Sequence, residues 1–247
     1  MIVAIHQPQY IPWIGYINKI ANADIFVFLD TVQFKKNEWQ NRNRIKTATG
    51  WQWMTVPVCY HYPQKISEVT INNKVRWGDK HWKTIVTNYS QTPYFQKYAD
   101  FFRETLNREW TLLRDLNIHI IQFLAETWDL KTRLILASQL GIEEDDPTGR
   151  LISICQTLGG DTYLSGRDGV TYMNLDQFYI NRIKICHQEC HPEFYPQRFG
   201  EFIPHLSSID LLFNCGPDGK DIVEASSDTS RVKKDQIYEY SCDRCPS

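Results

Sequence analysis

Two short, unbroken apolar runs lie within the first thirty residues, and they constrain the fold more than any other feature. Met1-Ile-Val-Ala-Ile5 enters His6-Gln-Pro-Gln-Tyr-Ile-Pro-Trp-Ile-Gly-Tyr16, and Asp24-Ile-Phe-Val-Phe-Leu-Asp30 follows. Runs this short, without polar alternation, do not suit hairpin strands with one wet face. They suit a parallel pair covered on both faces. The connection reads as a polar turn and a short helix, which makes a βαβ unit. Open α/β sheets bind ligands outside the carboxyl ends of their strands, where His6 and Asp30 both fall. An imidazole and a carboxylate are therefore expected at one opening.

The remainder alternates in the same manner. Residues 31–46 are polar, 51–58 and 66–71 read as strands, and Trp77, His81, Ile85 and Tyr89 recur at helical spacing on one face. Helices are expected over 94–107 and 112–127, so the middle of the chain is mainly helical. Asp146-Pro147 reads as an N-cap with proline in the first turn, and Gly159 or Gly160 as the stop. A strand at 162–164, a strand at 183–190 and a short helix at 208–215 complete the pattern. The expected fold is α/β, a parallel Rossmann-like sheet flanked by helices. One domain over 1–225, a helical insertion near 77–130 and a weakly ordered polar tail at 226–247 are the expected boundaries.

Composition excludes some classes. The formal net charge of -2 argues against a protein built to coat nucleic acid or an anionic membrane. No apolar run approaches the ~20 residues of a membrane span, and no secretory signal pattern opens the chain. Seven cysteines without such a signal suit free thiols, so a cytoplasmic protein is expected. The motifs of serine hydrolases, Walker-type nucleotide hydrolases and zinc proteases are missing.

Candidate chemistry gathers at the strand ends. His6 titrates near neutrality and reads as a general base or a phosphate-facing donor, and Gln7 beside it offers an uncharged donor and acceptor. Asp30 ends the second strand. After it come Gln33, Lys35, Asn41, Arg42 and Arg44, a mixture of amides and cations suited to an anionic ligand. Ser165, Gly166 and Arg167 form a glycine-bearing loop at a later strand end, where backbone N–H groups can approach an anion. His191 is a second candidate base, and His81 joins the substrate contacts. Cys186, Cys190, Cys242 and Cys245 have the count for a tetrahedral zinc site. Yet the first two fall in an expected strand and the others near the chain end, so no metal ligand is assigned.

Several stretches resemble the WbqC-like family: HQPQYIPWIGYINKIANADIFVFLDTVQF, QNRNRIK, GWQWMTVPV, WGDKHW, NYSQTPYF, DTYLSGRDG and HPEFYPQRFGEFIPHLSSIDLLFNCG. The resemblance runs from Met1 to about Gly216. It implies a role beside bacterial surface-polysaccharide and O-antigen genes: a transferase modifying a nucleotide-activated amino sugar by acyl or aminoacyl transfer. In that picture His6 or His191 takes the proton, Asp30 orients the histidine, and Lys35, Arg42 and Arg44 neutralise diphosphate. A fainter likeness joins the opening to pantothenate synthetase and other nucleotidylyltransferases, although Trp13-Ile-Gly-Tyr16 lacks both histidines of their His-x-Gly-His motif. The alternatives are a nucleotidylyltransferase-like activating enzyme and a non-catalytic sugar-nucleotide binding module. The expected partner is a small-molecule sugar nucleotide, with no cofactor assigned and a homodimer left open.

Overall fold

The computed structural model describes residues 1–166, 169–171 and 173–226. β1 (Ile2–His6), α1 (Ile14–Ala21) and β2 (Ile25–Phe28) form the expected unit, with β1 and β2 parallel and His6 beside Phe28. A hairpin of β3 (Arg42–Thr47) and β4 (Gly50–Thr55) follows, then a short pair, β5 (Val58–Cys59) with β6 (Thr70–Ile71). Three helices come next: α2 (Trp77–Tyr89), α3 (Phe95–Asn107) and α4 (Leu113–Thr127). The chain returns to the sheet through β7 (Arg133–Leu136), α5 (Pro147–Thr157), β8 (Thr162–Ser165), α6 (Leu175–Ile180) and β9 (Lys184–His187). Helices α7 (Ser208–Cys215) and α8 (Gly219–Ala225) follow.

The main sheet is parallel throughout, in the order β7-β2-β1-β8-β9. The fold is α/β and Rossmann-like. Alternate strand residues feed two cores, as the two-residue side-chain period requires. Ala4, Phe26, Phe28 and Leu164 pack on the side of α1, α4 and α7. Val3, Ile5, Val27, Tyr163 and Ile185 pack on the side of α5 and α6. Helix α1 has no wet stripe: every residue from Ile14 to Ile20 is buried. Among the described residues no helix is long and apolar enough to cross a membrane.

Several local expectations need correction. Residues 31–46 are not all loop, because Arg42–Thr47 pairs with Gly50–Thr55 as a ribbon. The strand expected over 66–71 is a single 3-10 turn at Ile66–Glu68 followed by two strand residues. Pro57 separates β4 from β5, since proline has no N–H to give a ladder. β9 stops at His187, so Cys190 and His191 lie beyond it, and β7 carries no pattern that the sequence reading found. The Asp146 cap is present, accepting the Gly149 N–H at 2.6 Å with Pro147 in the first turn. Residues 227–247, with Cys242 and Cys245, lie outside the described residues.

The loop between β1 and α1 is buried, so its carbonyls need donors. Distant side chains supply them. Asn117 Nδ2 donates to the Pro8 and Gln40 carbonyls, at 3.2 and 2.8 Å. Asn43 Nδ2 donates to Tyr10 and Ile11, at 3.3 and 2.9 Å, while its own oxygen accepts the Arg44 N–H. Ser207 and Ser208 hydroxyls donate to Ile11 and Pro12 at 2.7 Å each. Asn43→Leu keeps the branched outline of the side chain, at a larger volume, and removes three of these bonds. It should cost about 2–3 kcal/mol, by the usual penalty for stranding buried polar groups, readable as a lowered urea midpoint.

Candidate functional site

The strand order reverses at the centre of the sheet. From β1 the chain steps to β2 and later β7 on one side, and only then crosses to β8 and β9 on the other. The switch point therefore lies between the carboxyl ends of β1 and β8, the position where open α/β sheets leave a crevice. His6 ends β1 and Ser165 ends β8. Ser165 Oγ donates to the Gly166 carbonyl at 3.0 Å, and the Gly169 N–H donates to the same oxygen at 3.0 Å. Gly169 lies close against Ser165: a Cβ on it would sit 1.9 Å from Ser165 Oγ. Arg167 lies outside the described residues.

Lys19 supplies the charge of this place. It is 2 % exposed, in the last turn of α1. Its Nζ donates to the Ile5 carbonyl at 3.1 Å, lies 6.0 Å from the Tyr163 ring centroid and would be 4.0 Å from a Cβ on Gly166. It has no carboxylate partner among the described residues. Burial pulls its pKa down to about 7, which amounts to roughly 5 kcal/mol in favour of the neutral amine. Lys46, also buried, is better served: its Nζ donates to Gln197 Oε1 at 3.0 Å and to the Glu201 carbonyl, with the Asp210 charge favouring its cation.

His6 shares the same surroundings. Its Nδ1 donates to the Gln7 carbonyl at 3.1 Å, which leaves the lone pair on Nε2. Burial, then the charge of Lys19, lower its pKa to about 3 against the opposing pull of the Gln7 carbonyl. The ring is thus neutral at ordinary pH, and an anion beside Lys19 would remove the lesser of the two lowering causes. Its edge packs on Tyr16 at 5.1 Å. Across the crevice Gln188 links β9 to α1, donating to Gly15 O at 2.7 Å and Asn18 Oδ1 at 2.8 Å. His187, in register with Ser165, has a buried Nε2 with no hydrogen-bond partner among the described residues.

The other expected residues are dispersed. Asp30 is fully buried and its carboxylate accepts Arg114 Nη1 at 2.7 Å, the Ser138 N–H at 2.9 Å and the Ser138 hydroxyl at 2.8 Å. The expected pairing of Asp30 with His6 is not made; the carboxylate ties β2 to α4 and to the turn after β7. Gln7 Oε1 accepts Gln40 Nε2 at 2.6 Å. Asn41 donates to the Val56 carbonyl and accepts the Asn37 N–H, shaping the turn before the hairpin. Gln33 is exposed and bridges to Lys65, and Lys35 is exposed with its N–H on Gln40. His81 is buried, 2.8 Å from the Tyr10 hydroxyl, and burial lowers its pKa to about 4. His191 is exposed and its N–H donates to the Ser226 carbonyl. Arg42 and Arg44 stand on the hairpin, stacked on tryptophans. A surface groove of about 660 Å3 between the hairpin turn and α2, flanked by Arg76, Lys80 and Lys83, is open to solvent and touches none of the strand ends of the main sheet.

The sequence reading missed Lys19, His187 and Gln188. Lys19 had a visible signal: one cation inside a helix whose other positions are almost all apolar, beside strands that demand cover on both faces. Buried, shifted cations concentrate at functional sites.

The fold is that of a doubly wound α/β protein, with a buried lysine at its switch point that has no carboxylate partner among the described residues. The chain belongs to the WbqC-like protein family, which it matches over residues 7–222. It is 35% identical over 223 residues to the uncharacterized protein Rv1507c of Mycobacterium tuberculosis (strain ATCC 25618 / H37Rv), a match covering 89% of this chain and 96% of that relative. No solved structure matches the chain.

The buried imidazoles set a pH dependence of stability. Below pH 6.5 the unfolded chain protonates both rings, whereas the folded chain resists until about 4 at His81 and about 3 at His6. Stability is therefore lost as pH falls. Asp210, pushed up to about 6 by burial, protonates first in the fold and adds stability over the same descent. Two groups outweigh one, and the net loss between pH 7 and 4 from these three should be on the order of 3 kcal/mol. Urea titrations across that range should show it, and His81→Gln should flatten the slope.

Proposed function

We propose that this chain is a transferase that modifies a nucleotide-activated amino sugar for bacterial surface polysaccharide, with the sugar nucleotide's diphosphate received at the switch point. The observation that carries the reading is Lys19: a buried amine at the switch point whose Nζ donates to one carbonyl and has no carboxylate partner among the described residues. A diphosphate oxygen supplies the missing counter-charge, and the loop of Ser165 and Gly166 stands beside it. Anion binding then offsets the second cause of the low His6 pKa, so the same event that seats the acceptor sugar nucleotide strengthens the base. In acyl transfer the sugar's amine nitrogen bonds to the acyl carbon, its proton passes to His6 Nε2, and the leaving group departs with the electrons of the broken acyl bond. The WbqC-like membership supports the carbohydrate setting.

Ligand-induced stabilisation tests the reading. A panel of UDP-, dTDP- and GDP-linked amino sugars should contain one that raises the melting temperature, and a ligand at about 100 times its Kd stabilises by about 2.7 kcal/mol. The affinity should be greater at pH 6 than at pH 8, because the free Lys19 is protonated below about 7. Lys19→Met should abolish the effect while retaining the fold. Absence of any shift across the panel, or a shift unchanged in Lys19→Met, would remove the crevice from function. Tight binding with no acylated sugar by mass spectrometry, across acyl and aminoacyl donors, would make the protein a holder of the sugar nucleotide instead.

A further inference from the structure

The β3–β4 hairpin presents a second chemical surface. In its register Arg44 faces Trp53 and Arg42 faces Thr55, so Arg42, Arg44 and Trp53 share a face of the ribbon, which Trp51 borders. Trp39, from the preceding turn, joins them. The Trp39–Trp53 and Trp51–Trp53 ring centroids are each 5.6 Å apart, with planes at 49° and 86°. These three indoles remain 37 %, 44 % and 38 % exposed (Trp39, Trp51 and Trp53), a large apolar outlay for a two-stranded ribbon. The Arg42 guanidinium lies 4.2 Å from the Trp53 ring centroid, and that of Arg44 lies 5.0 Å from Trp51, 5.8 Å from Trp39 and 5.9 Å from Trp53.

The guanidiniums lack anions. Neither forms an ion pair among the described residues, and the Nε atom of each is buried with no hydrogen-bond partner. The hydrogen bond from the Arg44 fork is a 3.4 Å contact to the His205 carbonyl. Residues 31–58 hold five cations (Lys35, Lys36, Arg42, Arg44 and Lys46) against one acid, Glu38, in a chain whose net charge is -2. The face is basic in an otherwise slightly acidic protein.

We propose that this face binds an acidic saccharide, the pyranose rings lying on exposed indole and their carboxylates taken by the Arg42 and Arg44 forks. Indole suits the apolar C–H face of a sugar ring, and a guanidinium stacked on an aromatic face is held flat for two-point bonding to a carboxylate. A neutral sugar leaves both forks uncompensated. A second copy of this chain meeting through a two-fold axis sets the same arginines against each other, since such an interface pairs a patch with itself. The proposal goes beyond the crevice reading and does not depend on it: Arg42 and Arg44 share no hydrogen bond with His6, Lys19 or Ser165.

Titrating the full chain with tetragalacturonate, followed by tryptophan fluorescence, tests this without any turnover. The change should saturate, and the fully methyl-esterified tetramer, which keeps the rings and removes the charge, should bind about tenfold more weakly or worse. Arg44→Gln and Trp51→Ala should each weaken binding by about tenfold or more with an unchanged far-UV circular dichroism spectrum; should Trp51→Ala fail to fold, Arg44→Gln decides. No saturable change, equal affinity for the ester, or affinity unaffected by the substitutions would overturn the proposal. So would sedimentation showing a dimer that Trp51→Ala dissociates with no saccharide bound, which would assign the face to a second copy.

Discussion

The central position of β1 is the constraint from which the rest of the molecule follows. It is hydrogen-bonded in parallel on both edges, to β2 and to β8, yet those neighbours lie far apart in the chain. A parallel neighbour needs a crossover, and crossovers here go first one way and then the other. The reversal leaves two strand ends side by side with their connections departing in opposite directions, the place where open α/β sheets receive ligands. His6 and Ser165 stand there because they terminate the two strands.

Around that frame, buried polar groups divide into those that are satisfied and those that are not. Asp30 has Arg114 and Ser138. Asp210 accepts the Tyr89 and Tyr195 hydroxyls at 2.9 Å each. The opening loop has Asn43, Asn117, Ser207 and Ser208 for its carbonyls. These groups hold the structure together and have little capacity left for a ligand. Among the described residues Lys19 has a carbonyl but no carboxylate partner, and the Nε2 of His187 and the Nε atoms of Arg42 and Arg44 have no hydrogen-bond partner. Desolvating a charge without compensation is costly. Of the six buried side-chain atoms without a hydrogen-bond partner among the described residues, three stand at the switch point or on the hairpin face, and the others are Gln9 Oε1, Tyr98 OH and Asn117 Oδ1.

Legibility in the sequence followed the range of the governing interaction. Helix α2 was readable to its ends because Trp77, His81, Ile85 and Tyr89 repeat along one face, and the α5 cap because Asp146 bonds only three residues ahead. β3 was hidden: Arg42, Asn43, Arg44 and Lys46 look like a solvated loop, and the ribbon exists because tryptophans across it cover the arginine stems. Asp30 was legible as a strand-end carboxylate, whereas its partner Arg114 lies 84 residues away. Lys19 was passed over because a lysine in a short helix is ordinarily at the surface, and only the packing of α1 on all sides buries it.

By itself the sequence determined that a parallel α/β sheet would form, since short continuous apolar runs between helical segments can be covered on both faces in few other ways. It also determined that His6 and the loop beginning at Ser165 would fall at strand ends, because apolar runs stop where polar residues begin. Which strand ends are neighbours, which buried charges are answered and which are left waiting were decided only in three dimensions. Hydrogen-bond partners and burial depend on elements brought together from opposite ends of the chain, and the local alternation of polar and apolar residues carries no record of that distance.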